Sequence, residues 1–91
     1  MSITRAELES HGYMALRQIP DGRWIGVARM LFTYGLCIDL HEHGYRGRYC
    51  YENLIDVLRA ADIYTGVGDP LGPWIKYKGE DGERLNTESW E

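Results

Sequence analysis

Side chains that could bind a metal ion occur within one short stretch of the chain. His41 and His43 are separated by one residue, and Cys37 and Cys50 lie on either side of them. Zinc accepts both side-chain types as ligands. Along an extended strand, however, Cys37 and His41 are about 13 Å apart at ~3.3 Å per residue, whereas structural zinc sites normally have closer Cys/His pairs. We therefore expect neither a metal nor a cofactor at this position.

Other combinations that could support catalysis lack the context that the chemistry needs. Neither cysteine lies in a recognisable nucleophile motif. Gly66-x-Gly68 follows a predicted helix, whereas a phosphate-binding loop precedes the helix whose N-terminus faces the anion. Adjacent carboxylates occur at Glu80-Asp81, on a predicted exposed turn, and the chain is short for a catalytic pocket of typical volume. The sequence therefore predicts a protein that is not an enzyme.

Aromatic and basic residues are interleaved in two segments, residues 45–51 and 74–78. Such mixtures serve single-stranded nucleic acid, and Tyr, Trp and Arg are also enriched at the hot spots of protein–protein interfaces. A purely structural interpretation has the tyrosines at the edge of a core and the arginines on a solvated face. The residues that we predict to contact a partner are Tyr45, Arg46, Arg48, Tyr49, Trp74, Lys76 and Lys78.

A period of two in hydrophobicity begins at Ala28 and predicts one long β-strand. The even positions up to Leu40 are apolar or aromatic, and the odd ones include Arg29, Thr33, Gly35 and Asp39, as in a strand with one buried face. Because such a strand exceeds the usual length, we expect it to bend at Gly26 or Gly35. The alternative is a helix over residues 24–31, where apolar residues also recur at helical spacing.

A second strand over residues 45–51 returns along the first and forms a hairpin. Two registers keep the apolar faces together. A two-residue turn places Arg48 opposite Asp39 and the two cysteines opposite each other, whereas a four-residue loop places Arg46 opposite Asp39. Both registers predict an Asp–Arg pair across the strands.

Capping residues predict two helices. The capping box at residues 4–7 and the helix stop at Gly12 predict a short helix over residues 4–11. Asn53 caps a second helix over residues 53–64, which packs on the sheet. Its predicted apolar stripe is Leu54, Val57, Leu58 and Ala61. The predicted core between this helix and the sheet is formed by Phe32, Leu36, Ile38 and Leu58.

The remaining segments complete an α+β fold with an antiparallel sheet of about four strands. The turn sequence at residues 19–23 predicts a first hairpin. Residues 66–73 are too rich in Gly and Pro for regular structure, and residues 74–78 predict an edge strand protected by lysines. We expect residues 80–91 to form a loose tail and the whole chain, residues 1–91, to form a single domain.

Charge and hydropathy limit the class of partner. The formal net charge of −4 disfavours a general affinity for nucleic acid, since phosphate contacts need clustered Lys and Arg. The sequence has neither the pattern of a signal peptide nor an apolar run long enough for a membrane helix. We therefore expect a cytoplasmic protein with reduced cysteines and no membrane contact.

Two runs, residues 44–51 and residues 68–79, resemble small uncharacterised proteins of proteobacteria and of their phages and mobile elements. The resemblance covers residues 24 to 86 and brings no catalytic residues with it. It implies a short acidic protein that acts stoichiometrically by covering a surface of a host machine, as anti-CRISPR proteins do. The sequence thus predicts a binding protein that docks on and inhibits or modulates a host protein complex. The alternative is a module that binds single-stranded nucleic acid through the same residues.

Overall fold

Two helices and six strands form an α+β fold in a computed structural model that describes residues 3–79 and 82–85. The helices are α1 (Arg5–Ser10) and α2 (Leu54–Ile63). The strands are β1 (Met14–Gln18), β2 (Trp24–Arg29), β3 (Tyr34–Ile38), β4 (Gly47–Tyr51), β5 (Trp74–Gly79) and β6 (Gly82–Leu85). All six form one antiparallel sheet in sequence order. The predicted α+β class is confirmed, but the predicted number of about four strands is too low.

Both predicted helix starts are confirmed by their caps. At α1, the Thr4 hydroxyl accepts a hydrogen bond from the Glu7 N–H, and the Glu7 carboxylate accepts one from the Thr4 N–H. At α2, the Asn53 side chain accepts a hydrogen bond from the Asp56 N–H at 3.0 Å. These bonds satisfy amide groups that the first helical turn leaves without a partner. Neither helix is long and apolar enough to cross a membrane.

The prediction of one long strand from Ala28 to Leu40 is wrong, and so is the helix over residues 24–31. The chain reverses in a tight turn over residues 30–33, closed by a 2.8 Å hydrogen bond from the Met30 N–H to the Thr33 carbonyl. Pairing across this turn joins even positions of β2 to odd positions of β3, for example Ala28 to Gly35. The alternation of apolar residues therefore continues through the turn. The residues that face α2, however, are at odd positions in β2 and at even positions in β3.

The hairpin of β3 and β4 adopts the register with the four-residue loop. Cys37 pairs with Arg48 and Ile38 with Gly47, so the two cysteines are not opposite each other. The predicted Asp–Arg pair is present, with Arg46 Nε 3.5 Å from Asp39 Oδ2.

The prediction that residues 74–78 form an edge strand is wrong. β5 lies between β4 and β6, and the outer strand β6 falls within the predicted loose tail. The outer pairing is reinforced by an ion pair of 2.9 Å between Lys76 Nζ and Glu83 Oε1. The other positions of that tail, 80, 81 and 86–91, lie outside the described residues.

The sheet has apolar clusters on both faces. The larger one, beneath α2, contains Leu36 and Ile38 together with Val57, Ala60 and Ala61 of the helix. The smaller one, beneath α1, is formed by Leu8, Leu16, Cys37 and Leu40. The small alanine side chains allow α2 to approach the strands closely.

Two members of the predicted core lie outside it. Leu58 is 36% exposed, because α2 turns its alanines rather than this leucine toward the sheet. Phe32 is 87% exposed, because it lies in the turn between β2 and β3. Leu36 and Ile38 are buried as predicted.

Helix α1 is too short to cover its face of the sheet. It packs on β1, at one side of the six-stranded order. The same face of β4, β5 and β6 carries no helix within the described residues. In the part of the chain that the structure describes, this region of the sheet is therefore open on one face.

Candidate interaction surface

The predicted contact residues divide between the two faces of the sheet. Alternation along β4 and β5 places Arg48, Lys76 and Lys78 on the open face, since Arg48 pairs with Lys78 and lies opposite the buried Cys37. Tyr49 and Trp74 lie on the α2 face and are only 5% and 8% exposed. Burial beneath the loop and helix removes these two aromatic side chains from the accessible surface.

The open face is net positive, because Arg48, Lys76 and Lys78 outnumber Glu83, which shares the face by pairing with Lys78. We call Tyr45, Arg48, Lys76 and Lys78 the cationic face. Arg48 donates from Nη1 to the Tyr45 hydroxyl at 2.9 Å and contacts the Met30 sulfur at 3.7 Å. The Arg48 stem crosses β3 above Gly35, where a Cβ atom would come within 2.9 Å of Arg48 Cδ. A glycine at this position thus lets the arginine lie flat on the sheet.

The lysines of the cationic face remain accessible. Lys78 is exposed, and Lys76 retains 40% of its side-chain exposure despite its ion pair with Glu83. Exposed ion pairs contribute little free energy, so a partner carboxylate can compete for Lys76. Arg46 lies elsewhere, with Asp39 and Tyr77 around a cleft of about 240 Å³ on the α2 face.

The aromatic side chains of the α2 face form a packed row. The ring centroids of Trp74 and Tyr49 are 5.1 Å apart, and those of Tyr49 and Tyr77 are 4.7 Å apart. The Arg84 guanidinium lies over the Tyr77 ring at 4.8 Å from its centroid. Tyr77 in turn covers Gly47, where a Cβ would come within 2.9 Å of the ring. These contacts join β4, β5 and β6 on that face.

Tyrosine hydroxyls fix the irregular loop over residues 65–73. Tyr51 donates to the Leu71 carbonyl at 2.6 Å and Tyr64 to the Gly68 carbonyl at 3.3 Å. Tyr49 donates to Asp69 Oδ1 at 2.8 Å. Burial raises the pKa of Tyr49 and of Tyr51 well above the usual value, so these hydroxyls remain protonated donors. Their role is structural.

The thiols and histidines do not assemble into a reactive site. Cys37 is fully buried, and burial raises the pKa of its thiol to about 12, so almost no thiolate is present at neutral pH. Cys50 is also buried and both cysteines are free. His41 Nδ1 accepts a hydrogen bond from the His43 N–H at 3.2 Å. Among the described residues, no three His, Cys, Asp or Glu side chains are grouped to hold a metal ion.

The sequence interpretation missed an apolar feature beside the cationic face. Leu31 and Phe32, at the centre of the turn over residues 30–33, are 86% and 87% exposed. A signal was present, because Leu31 is a large apolar residue at an odd position of the proposed single strand. That break in the alternation marks the turn.

Comparison of the chain with protein-family models, with curated proteins and with solved structures finds no match in any of the three. The functional argument therefore depends on the geometry of the surface.

Proposed function

We propose that the chain is a non-enzymatic binding protein whose cationic face docks on an acidic surface of a host protein complex. The observation that supports this function most directly is the open half-sheet. Its side chains include Arg48, Lys76 and Lys78, although the whole chain has a net charge of −4. Complementary charge increases the rate and the specificity of association. The acidic remainder of the chain disfavours approach by an acidic surface in other orientations.

A protein partner agrees better with the aromatic residues than single-stranded nucleic acid does. Nucleic-acid modules of this kind stack bases on exposed aromatic rings. Tyr49 and Trp74, two of the aromatic residues that the sequence predicted as contact residues, are buried. The cationic face retains one tyrosine, Tyr45, whose hydroxyl accepts a hydrogen bond from Arg48.

The biological role that we propose is stoichiometric inhibition or modulation of the host complex, in a phage or mobile-element context. This role follows from the resemblance of residues 44–51 and 68–79 to small proteins of proteobacteria and of their phages and mobile elements. A small protein acting in this way needs an interface and no catalytic centre, which is consistent with the buried Cys37 and the paired Tyr49 hydroxyl.

The experiment compares one charge reversal on the cationic face with one elsewhere. Tagged wild-type protein captures partners from a lysate of the organism that encodes the chain, and the enriched partner is purified for titration. Lys78→Glu is expected to weaken its binding at least about 10-fold. Arg59→Glu, an equal charge change at an exposed position of α2, is expected to leave the dissociation constant within about 2-fold. Equal affinity of Lys78→Glu and wild type would contradict the proposal.

A further inference from the structure

The turn between β2 and β3 exposes two large apolar side chains in a constrained conformation. Leu31 and Phe32 lie between Met30 and Thr33, whose backbone groups form the 2.8 Å hydrogen bond that closes the turn. Central positions of such turns usually carry Gly, Asn, Asp, Ser or Pro. Two adjacent apolar side chains exposed to water do not contribute to the stability of the described part of the fold. The pair is instead suited to burial against another surface.

This apolar turn is continuous with the cationic face. Met30, the first residue of the turn, has its sulfur 3.7 Å from Arg48 Nη1. It also extends over Gly35, where a Cβ would come within 2.9 Å of the Met30 methyl group. A partner that contacts Arg48 is thus within a few ångströms of the side chain that precedes Leu31 and Phe32.

The distribution of charge favours a protein over a membrane as the occupant. Lys76 and Lys78 lie progressively farther along the sheet from the turn, at the positions that pair with Cys50 and Arg48. The cleft at the turn itself is lined by one base, Arg29, and one acid, Glu52. A flat anionic bilayer that contacted the turn would not reach Lys76 and Lys78. A partner protein can cover both the end and the open face of the sheet.

We propose that Leu31 and Phe32 are the apolar anchor of the interface and insert into an apolar pocket that borders the partner's acidic surface. This inference rests on the proposed function and specifies its partner. Interfaces concentrate their binding free energy in a few buried anchors surrounded by a polar rim. Leu31 and Phe32 supply the anchor, and Arg48, Lys76 and Lys78 supply the adjoining charged contacts.

The test measures binding of the purified captured partner to Phe32→Ser, Leu31→Ser and Val67→Ser. Val67 is the matched control, because it is an apolar residue that is 84% exposed. It lies in the loop over residues 65–73, and its neighbour Gly66 contacts Arg23, near the turn between β1 and β2. We expect each substitution in the apolar turn to weaken binding at least about 10-fold and Val67→Ser to change it by less than 2-fold. Circular dichroism spectra are expected to be identical, since all three side chains are exposed.

The outcomes separate the anchor from the cationic face. Unchanged binding by Phe32→Ser and Leu31→Ser, together with loss by Lys78→Glu, would overturn the anchor and leave the proposed function standing. Unchanged binding by all these variants, or no saturable partner for the wild type, counts against both. Saturable binding of wild-type protein to phosphatidylglycerol vesicles that Phe32→Ser abolishes would assign the turn to a membrane and overturn the protein pocket.

Discussion

At the scale of single residues, burial determines which side chains can act on a partner. Tyr49 and Lys76 occupy neighbouring strands, yet the first donates its hydroxyl to Asp69 beneath a loop while the second remains partly exposed. The difference follows from alternation, since adjacent positions of a strand point to opposite faces. At β4 and β5, one face is covered by α2 and the loop, and the other carries no helix within the described residues.

Burial also separates two leucines that the sequence makes equivalent. Leu36 is fully buried and Leu58 is 36% exposed. Leu36→Ala removes buried contacts and leaves a cavity, so we expect it to lower the free energy of unfolding by ~2–5 kcal/mol. Leu58→Ala is the control and should cost much less. Urea unfolding of both variants measures the difference, and equal costs would contradict the placement of α2.

The ionised carboxylate of Asp69 stabilises the fold in a defined pH range. Hydrogen bonds from Arg84 and Tyr49 lower the pKa of Asp69 below its ordinary value of 3.8. Because the folded-state pKa is the lower one, the stabilisation is complete above the unfolded value and is lost as the pH falls through the folded value. Asp69→Asn should therefore be less stable than wild type at about pH 6, and the gap should narrow below about pH 4.

Thermal unfolding of wild type and Asp69→Asn over this pH range measures that gap. Other acids with lowered pKa values, such as Asp21 and Glu83, titrate in both proteins and cancel in the comparison. A gap that stays constant with pH would show that the Asp69 charge contributes nothing.

At the scale of elements, the packing of β4 against β5 requires a glycine at position 47, because the Tyr77 ring lies over it. A Cβ at position 47 would come within 2.9 Å of the Tyr77 ring. Gly47→Ala should thus lower the free energy of unfolding by ~1–3 kcal/mol, the usual cost of overpacking. In a Tyr77→Ala background the same substitution should cost little, since the ring is gone. A double-mutant cycle by urea unfolding measures this coupling, and additive costs would contradict it.

The sequence predicts elements with their own local signals better than those set by tertiary pairing. The caps at Thr4 and Asn53 are encoded within one helical turn, so both helix starts were predictable. The turn at residues 30–33 contains no Gly or Pro, and the even positions stay apolar through it, so Leu31 at an odd position is the one local sign of the turn. The strand β6 depends on pairing with β5 and on contacts of Arg84 with Tyr77 and Asp69, which no local pattern reveals.

The same distinction applies to the candidate surface. Alternation correctly separates Arg48 from Tyr49 along β4. It gives no means of predicting that α1 stops short of covering the face that carries Arg48, Lys76 and Lys78. The exposure of a sheet face depends on the length and placement of other elements, so it emerges only when the fold is complete.

At the scale of the whole molecule, an acidic chain carries the cationic face, and this distribution of charge distinguishes the two classes of proposed partner. Release of counterions makes nucleic-acid binding fall steeply with salt. The cationic face offers few charges for such release, and the buried Tyr49 and Trp74 cannot stack on bases. Under the proposed function, a protein partner with complementary acidic and apolar groups loses less of its affinity as the salt concentration rises, because the proposed anchor, Leu31 and Phe32, is uncharged.

We therefore expect no saturable binding of a fluorescent oligothymidylate at micromolar protein in low salt, measured by anisotropy. Affinity for the captured protein partner should fall only a few-fold between about 50 and about 200 mM salt. The Arg48→Ala variant serves as a check, since it should weaken the protein complex while its circular dichroism spectrum stays that of wild type. Tight oligonucleotide binding that disappears steeply with salt and with Arg48→Ala would assign the cationic face to nucleic acid.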